Sequence, residues 1–259
     1  MSDVSSVPLA APVPALFEGY GFPAGVRDEM CAEPGKIRPH WDYLSGALSD
    51  LGASELQRRR VEALRQIRDN DVTFNIYDDP RGMGRPWELD LIPQLIGSDE
   101  WRVIEAGLMQ RAELLNLVLR DLYGDRSLIS RGVLPPELVY SHPGFLRPCV
   151  GMPLPEPHSL LFYAADMARS PDGQVQIMAD RAQAPSGAGY ALENRIVVSR
   201  VLPSLFRDSH VHRLANFFRT VRQSLNRLSP RPDDDSNIVL LTAGPANESY
   251  FEHAYLANY

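Results

Sequence analysis

Between Pro143 and Pro157 five prolines fall within fifteen residues, and no helix or central strand can run through such a stretch. Each proline lacks a backbone N–H and holds φ at about −65°. The chain therefore reads as two stretches joined by a stiff connection. Residues 1–20, rich in Ser, Ala and Pro, are expected as a flexible tail. Residues 21–157 are expected as a helical or mixed region, and residues 158–259 as the first part of a separate core.

Periodicity supplies the elements. Trp41 to Leu51 can form a short helix, and a second begins at Ser54, a natural N-cap, with Leu56, Val61, Leu64 and Ile67 on roughly one side. Arg58 to Arg60 read as a solvated face of that helix. VTFNIY, residues 72–77, has the β-branched and aromatic content of a strand, and a loop follows it. The longest helix should start after Ser98 and run to about Tyr123, with Ile104, Leu108, Ala112, Leu115, Leu119 and Leu122 as one apolar stripe and Gly124 ending it. LLFYAADMAR and QVQIMAD, joined by SPDG, form a β-hairpin. Helices are expected over about 189–206 and 210–228, the latter burying Leu214, Phe217, Phe218, Val221, Leu225 and Leu228. SPRPDDDS reads as a surface linker, NIVLLT as a short apolar strand, and YFEHAYLANY as a further helix. Strands alternating with long helices predict an α/β to α+β architecture with helices on mixed sheets.

Charge and composition narrow the function. A net charge of −7 argues against a nucleic-acid surface. Lys36 is the sole lysine among 26 basic side chains, so a phosphate site that relies on lysines cannot be built from this chain alone. Cys31 and Cys149 are far apart and lack CxxC or ligand-like His spacing, which points away from disulfides and zinc and toward a reducing cytoplasm. No apolar run approaches the roughly 18–20 residues that span a bilayer, and the first residues lack the form of a secretory signal.

Four stretches could carry chemistry. Asp166 lies inside an apolar strand and Asp180 at the end of the return strand; two carboxylates on paired strands can converge on a divalent cation, or simply face water at strand ends. Ala184 to Tyr190 (APSGAGY) leads into a helix, where the amides around Ser186 and Gly187 could approach an anion or merely make a loop connection. One turn further, Glu193, Asn194 and Arg195 are consecutive polar residues; Arg195 could grip a phosphate or carboxylate, or pair with Glu193 on an exposed face. Finally, Asn247 and Glu248 follow NIVLLT at the C-terminal end of a strand, where ligands of α/β sheets tend to bind, and His253 sits in the helix beyond. The remaining histidines, His40, His142, His158, His210 and His212, are scattered.

Taken together these strings are more specific than any one alone. ADRAQAPSGAGYALENRIVVSRVLP followed by LLTAGPANESYFEHAYLA resembles the circularly permuted type 2 ATP-grasp family and is similar to the synthetase part of glutathionylspermidine synthases. RDEM, RPHW, TFNIYDD, LDLIPQLI and EWRVIEAGLMQRAELLNLVLRDLYG support the likeness upstream, in the same order. The resemblance implies a bilobal ATP-grasp fold that uses ATP and Mg²⁺ to join a carboxylate to an amine through an acyl phosphate, on a small-molecule or peptide substrate. It also implies a continuation that carries the adenine pocket, the phosphate-binding lysines and often a helical domain.

On that resemblance Asp166 and Asp180 are candidates for cation or substrate contact, Arg181 for the phosphate, and Arg195 for a catalytic anion contact. Ser186 and Gly187 are candidates for anion contact, and Asn247 and Glu248 for the pocket rim. The hairpin and the glycine-containing turn behind it would form half of a phosphate-handling cleft. One departure stands out. Many relatives read Glu-Asp-Asn where this chain reads Ala179-Asp180-Arg181, so two of three oxygen donors for the metal are absent. A non-catalytic nucleotide- or peptide-binding module with a degenerate metal site is the alternative this raises.

Overall fold

The computed structural model describes residues 15–21, 25–76, 84–153, 158–229 and 237–259. Most of the expected tail, Tyr77 with most of the loop after it, and nearly all of the linker at 229–236 lie outside the described residues.

Among the described residues the chain is mostly helical, with two small antiparallel sheets in place of the expected mixed sheets. The first pairs β1 (Cys31–Glu33) with β2 (Lys36–Ile37), a hairpin the sequence reading missed. Helices α1 (Asp42–Leu51) and α2 (Ala53–Asp69) follow. The cap of α2 is Gly52, not Ser54, and Val61 faces outward while Ala63 and Ile67 are buried. Glu55 with Arg58 and Arg59, and Glu62 with Arg65, form pairs three and four residues apart that support the helix from its polar side. Arg59 departs from the expected solvated face: its guanidinium donates to the Val201 carbonyl, one of the unpaired acceptors at the end of another helix.

Helix α3 (Ser98–Tyr123) has the expected bounds, and Gly124 caps it. Its stripe is only half-buried; Asn116 is the one buried residue on it among the described residues. Two short helices, α4 (Ser127–Ser130) and α5 (Pro136–Tyr140), precede the hairpin of β3 (Ala164–Arg169) and β4 (Val175–Arg181). The long helix expected over 189–206 is broken at Pro203 into α6 (Ala188–Val201) and α7 (Pro203–Asp208), because a proline in mid-helix removes a hydrogen bond and clashes with the preceding turn. Helix α8 (Ala215–Arg227) buries Phe218 alone of its expected apolar face, and α9 (Tyr250–Asn258) follows the last loop.

Two expected strands do not form. At 72–76 the backbone makes a single bridge, Thr73 to Pro86, flanked by hydrogen bonds from the Phe74 N–H to the Arg85 carbonyl and from the Trp87 N–H to the Val72 carbonyl. NIVLLT has no ladder among the described residues, and its side chains face outward: Val239 is 87% exposed and Leu241 96%.

One apolar core joins Ala63 and Ile67 of α2 to Val72, Leu91, Tyr190, Val197 and Val201. A second gathers Met30, Cys31, Ile37 and Trp41 with Leu44 and Leu48 of α1. Leu56 and Leu205 pack against both, so α1, α2, α6 and α7 share one interior.

Candidate functional site

In the β3–β4 hairpin Ala164 pairs with Arg181, Ala165 with Asp180, and Asp166 with Ala179. Successive pairs point to opposite faces of a sheet. Asp166, Ala179 and Arg181 therefore share one face, and Asp180 occupies the other. The two carboxylates do not converge, and the expectation that they would jointly hold a cation is corrected on that ground.

Each aspartate instead has an arginine. Arg181 Nη2 donates to Asp166 Oδ2 at 2.7 Å, and its Nε donates to both carboxylate oxygens at 3.0 and 3.1 Å. That guanidinium holds the Asp166 carboxyl below its usual range. Opposite, Arg111 of α3 donates Nε and Nη2 to the two oxygens of Asp180 at 2.6 and 2.7 Å, and the Tyr163 hydroxyl donates at 2.7 Å. Arg111 first and Tyr163 second pull the Asp180 carboxyl down to about 2. The magnesium ion that an ATP-grasp fold implies does not fit here. A guanidinium sits on the one carboxylate of the expected ligand face, and among the described residues no group of three or more His, Cys, Asp or Glu could hold a metal. Arg181, expected on a phosphate, is occupied with Asp166.

The start of α6 is filled from within. Gly187, at φ +117°, is its N-cap. Its amide donates to both carboxylate oxygens of Glu252 at 2.8 and 2.6 Å, and the Gly189 amide donates to Oε1 at 2.9 Å. Glu252, on α9, is 1% exposed. A helix N-terminus favours a negative charge, and here a side chain 65 positions away supplies it. Gly189 permits the approach, since a Cβ there would stand 3.0 Å from Glu252 Cγ. Gly187 thus contacts an anion, but the anion is Glu252; a nucleotide phosphate does not fit the same amides. Ser186 beside it is exposed.

The three polar residues of α6 each reach a different segment. Glu193, 3% exposed, accepts from Asn70 Nδ2 at 2.6 Å. Asn194 Oδ1 accepts the Trp87 indole N–H at 2.9 Å. Arg195 Nη1 donates to the His212 carbonyl at 2.6 Å. A Glu193–Arg195 pair on an exposed face is therefore excluded. Burial lowers the Arg195 pKa. Tyr190 anchors the same helix: it stacks on Trp87 at 4.5 Å, and its hydroxyl donates to the Thr73 carbonyl at 2.7 Å. Burial, then the charges of Glu252 and Glu248, push its hydroxyl up to about 12.

The loop before α9 is held by a residue the sequence reading passed over. Asn75, buried, donates Nδ2 to the carbonyls of Pro245 and Asn247, both at 3.1 Å. Its Oδ1 accepts the Gly84 amide at 2.9 Å, and its own amide donates to Glu248 O at 3.2 Å. Asn247 folds its Oδ1 onto the Ser249 amide at 3.0 Å, and the Glu248 side chain is exposed. Thr242 Oγ1 and His253 Nδ1 lie 2.7 Å apart across the loop. Asn75 belongs to the TFNIYDD string, the signal that could have found it.

The expected cleft between the hairpin and the glycine turn does not coincide with either of two cavities among the described residues. A cavity of about 650 Å³ lies between α2 and residues 88–92, and a smaller one of about 200 Å³ lies beside Phe74 and Trp87. None of the expected site residues lines either cavity.

Residues 93–259 match circularly permuted ATP-grasp type 2 proteins. The chain belongs to that family. It is 37% identical over 250 residues to the uncharacterised protein Rv2567 of Mycobacterium tuberculosis, covering 93% of this chain and 28% of that protein. It is 32% identical over 235 residues to the uncharacterised protein sll0335 of a Synechocystis species, covering 91% of this chain and 49% of the relative. A second Mycobacterium tuberculosis protein, the uncharacterised Rv2411c, is 33% identical over 245 residues, or 44% of its length. The chain thus spans between about a quarter and a half of the length of these relatives. Among the described residues of this ATP-grasp member, no helix is long and apolar enough to cross a membrane.

Proposed function

We propose that this chain is part of an ATP-dependent carboxylate–amine ligase that forms an amide by way of an acyl phosphate on a small-molecule or peptide substrate. The observation that carries the reading is the family match over residues 93–259. In this reading the nucleotide and its metal are held by segments found in the longer relatives. That division agrees with the engagement of Asp166, Asp180 and Gly187 by Arg181, Arg111 and Glu252 within this chain. Arg195 is then the group of this segment best suited to a substrate anion. It is half-buried, it keeps its charge, and its one hydrogen bond among the described residues is to a backbone carbonyl. Asn247 and Glu248 would form the pocket rim, on a loop fixed by Asn75.

The partner of this segment is the rest of the ATP-grasp fold, and NIVLLT is the surface that would receive it. Among the described residues its amides and carbonyls are in no ladder, and such a row flanked by apolar side chains is completed by a neighbouring strand. One observation favours a second reading, a non-catalytic nucleotide- or peptide-binding module: the Arg181–Asp166 pair replaces the metal ligands that catalysis would use.

Calorimetric titration with ATP, with and without Mg²⁺, separates the readings when the remaining family segments are present on the same chain or added in trans. The ligase reading expects Mg²⁺-dependent ATP binding and turnover, reduced tenfold or more by Arg195→Ala. ATP binding that ignores Mg²⁺, without turnover, supports the binding module. Residues 1–259 by themselves should show no micromolar affinity for ATP.

A further inference from the structure

Where the turn between β3 and β4 meets the β1–β2 hairpin and the first turn of α3, the chain gathers more guanidinium donors than acceptors. The Arg169 side chain is 11% exposed. Its Nε donates to Glu29 Oε1 at 2.5 Å, and its Nη1 donates to the Gly173 carbonyl at 2.8 Å and to Glu100. One arginine therefore engages both glutamates. Asp28 is engaged elsewhere: Oδ1 accepts the amides of Met30 and Cys31 at 2.9 and 2.6 Å, and Oδ2 accepts the Tyr20 hydroxyl at 2.6 Å.

Two arginines are left over. Arg38 donates Nε to the Asp28 carbonyl at 3.0 Å, and its Nη groups donate to nothing among the described residues. Arg27 makes no hydrogen bond or ion pair among the described residues, and its Nε is buried without an acceptor. Its guanidinium lies against the bare Cα of Gly173, where a Cβ would stand 2.3 Å from Nη1. Burial first and the charge of Arg27 second lower the Arg38 pKa; burial and then Arg38 lower that of His40, which stays neutral at pH 7. Buried donors without acceptors are costly, and a cluster of like charges adds to the cost. An arriving anion would relieve both.

The charge balance limits what that anion can be. Arg27, Arg38 and Arg169 face Asp28, Glu29 and Glu100, three against three, with His40 neutral. A dianionic phosphate would be repelled by the two glutamates, whereas a monoanion matching the planar guanidinium fork is accommodated. We propose that Arg27 and Arg38, backed by Arg169, bind the carboxylate of a small monoanionic molecule at the β3–β4 turn. This site is independent of the ligase reading and involves none of its residues.

Nuclear magnetic resonance of the arginine Nε–H groups tests the proposal on the 259-residue chain, using N-acetylglycine, its uncharged analogue N-acetylglycinamide, and inorganic phosphate. N-acetylglycine should shift the Arg27 and Arg38 signals saturably, the amide should leave them unmoved, and phosphate should bind more weakly. Arg27→Gln should weaken the carboxylate response at least tenfold with little change in the melting temperature of the ligand-free protein, because Arg27 makes no hydrogen bond or ion pair among the described residues. An equal response to the amide, tighter binding of phosphate, or an undiminished response in both Arg27→Gln and Arg38→Gln would overturn it. Should either variant fail to fold, the three titrations of the unaltered protein still decide.

Discussion

The region around α2, α6 and α9 and the region around α3 and the β3–β4 hairpin are held together by opposite means. The first buries apolar side chains from α2 and α6 and ties α6 to α9 through a carboxylate sealed from water. The second has little apolar interior. Arg111 on Asp180, Arg169 on Glu100, and Asn116 Oδ1 accepting the amides of Ser159 and Leu160 hold α3 to the segment that contains the hairpin. Meanwhile Val103, Met109, Leu114 and Leu117 of α3 face outward. Burial is not screened by salt, whereas exposed ion pairs are. The first region is therefore built to persist, and the second to respond to its surroundings and to whatever packs on it.

The sharpest break of that contrast is Glu252→Ala, which strips two buried amides of a charged acceptor. It should cost about 3 kcal/mol in chemical denaturation. A loss under about 1 kcal/mol would mean that water or another group satisfies the amides and that the seal matters little. Next comes Asn75→Ala, expected at about 2 kcal/mol because three buried hydrogen bonds lose their side-chain partner. Limited proteolysis should then cut first in the loop at 244–249. Gly189→Ala adds a methyl group against Glu252 Cγ and should cost about 1–2 kcal/mol, measured in the same way.

Arg111→Met addresses the other region. Its effect at pH 6 should be the smaller one, since the pair is partly exposed. The pH dependence has a definite sign. Asp180 is depressed to about 2, so its contribution is fully present above its ordinary unfolded value near about 4 and is lost as pH falls toward 2. The difference between the unaltered chain and Arg111→Met should shrink across that window and also in high salt. A difference that grew on acidification would remove the assignment. The smallest change is expected for Val103→Ser, within about 0.5 kcal/mol in thermal unfolding.

What could be read in the sequence follows the same divide between local and distant causes. The bounds of α3 came directly from an apolar stripe at helical spacing and from Gly124, both local signals. The β3–β4 hairpin was legible from its turn and alternation, but the opposition of Asp166 and Asp180 depends on register, which fixes the face each side chain takes. Read as a strand, NIVLLT was judged on its β-branched and apolar content, yet a strand exists only with a neighbour, and none is present among the described residues. Glu252 was hidden inside an ordinary helical string. Its role arises from amides 63 and 65 positions away, which no window on the sequence contains. Asn75 likewise acts 170 positions from Pro245.

The outward-facing run at 238–241 has a consequence for how the protein must be handled. A bare edge of this kind accepts any extended chain, including the same run in another copy, and so invites fibrous or amorphous self-pairing at high concentration. Three successive aspartates, Asp233 to Asp235, stand immediately upstream in the chain. A block of like charge beside an apolar run is the sequence pattern that opposes stacking of identical copies.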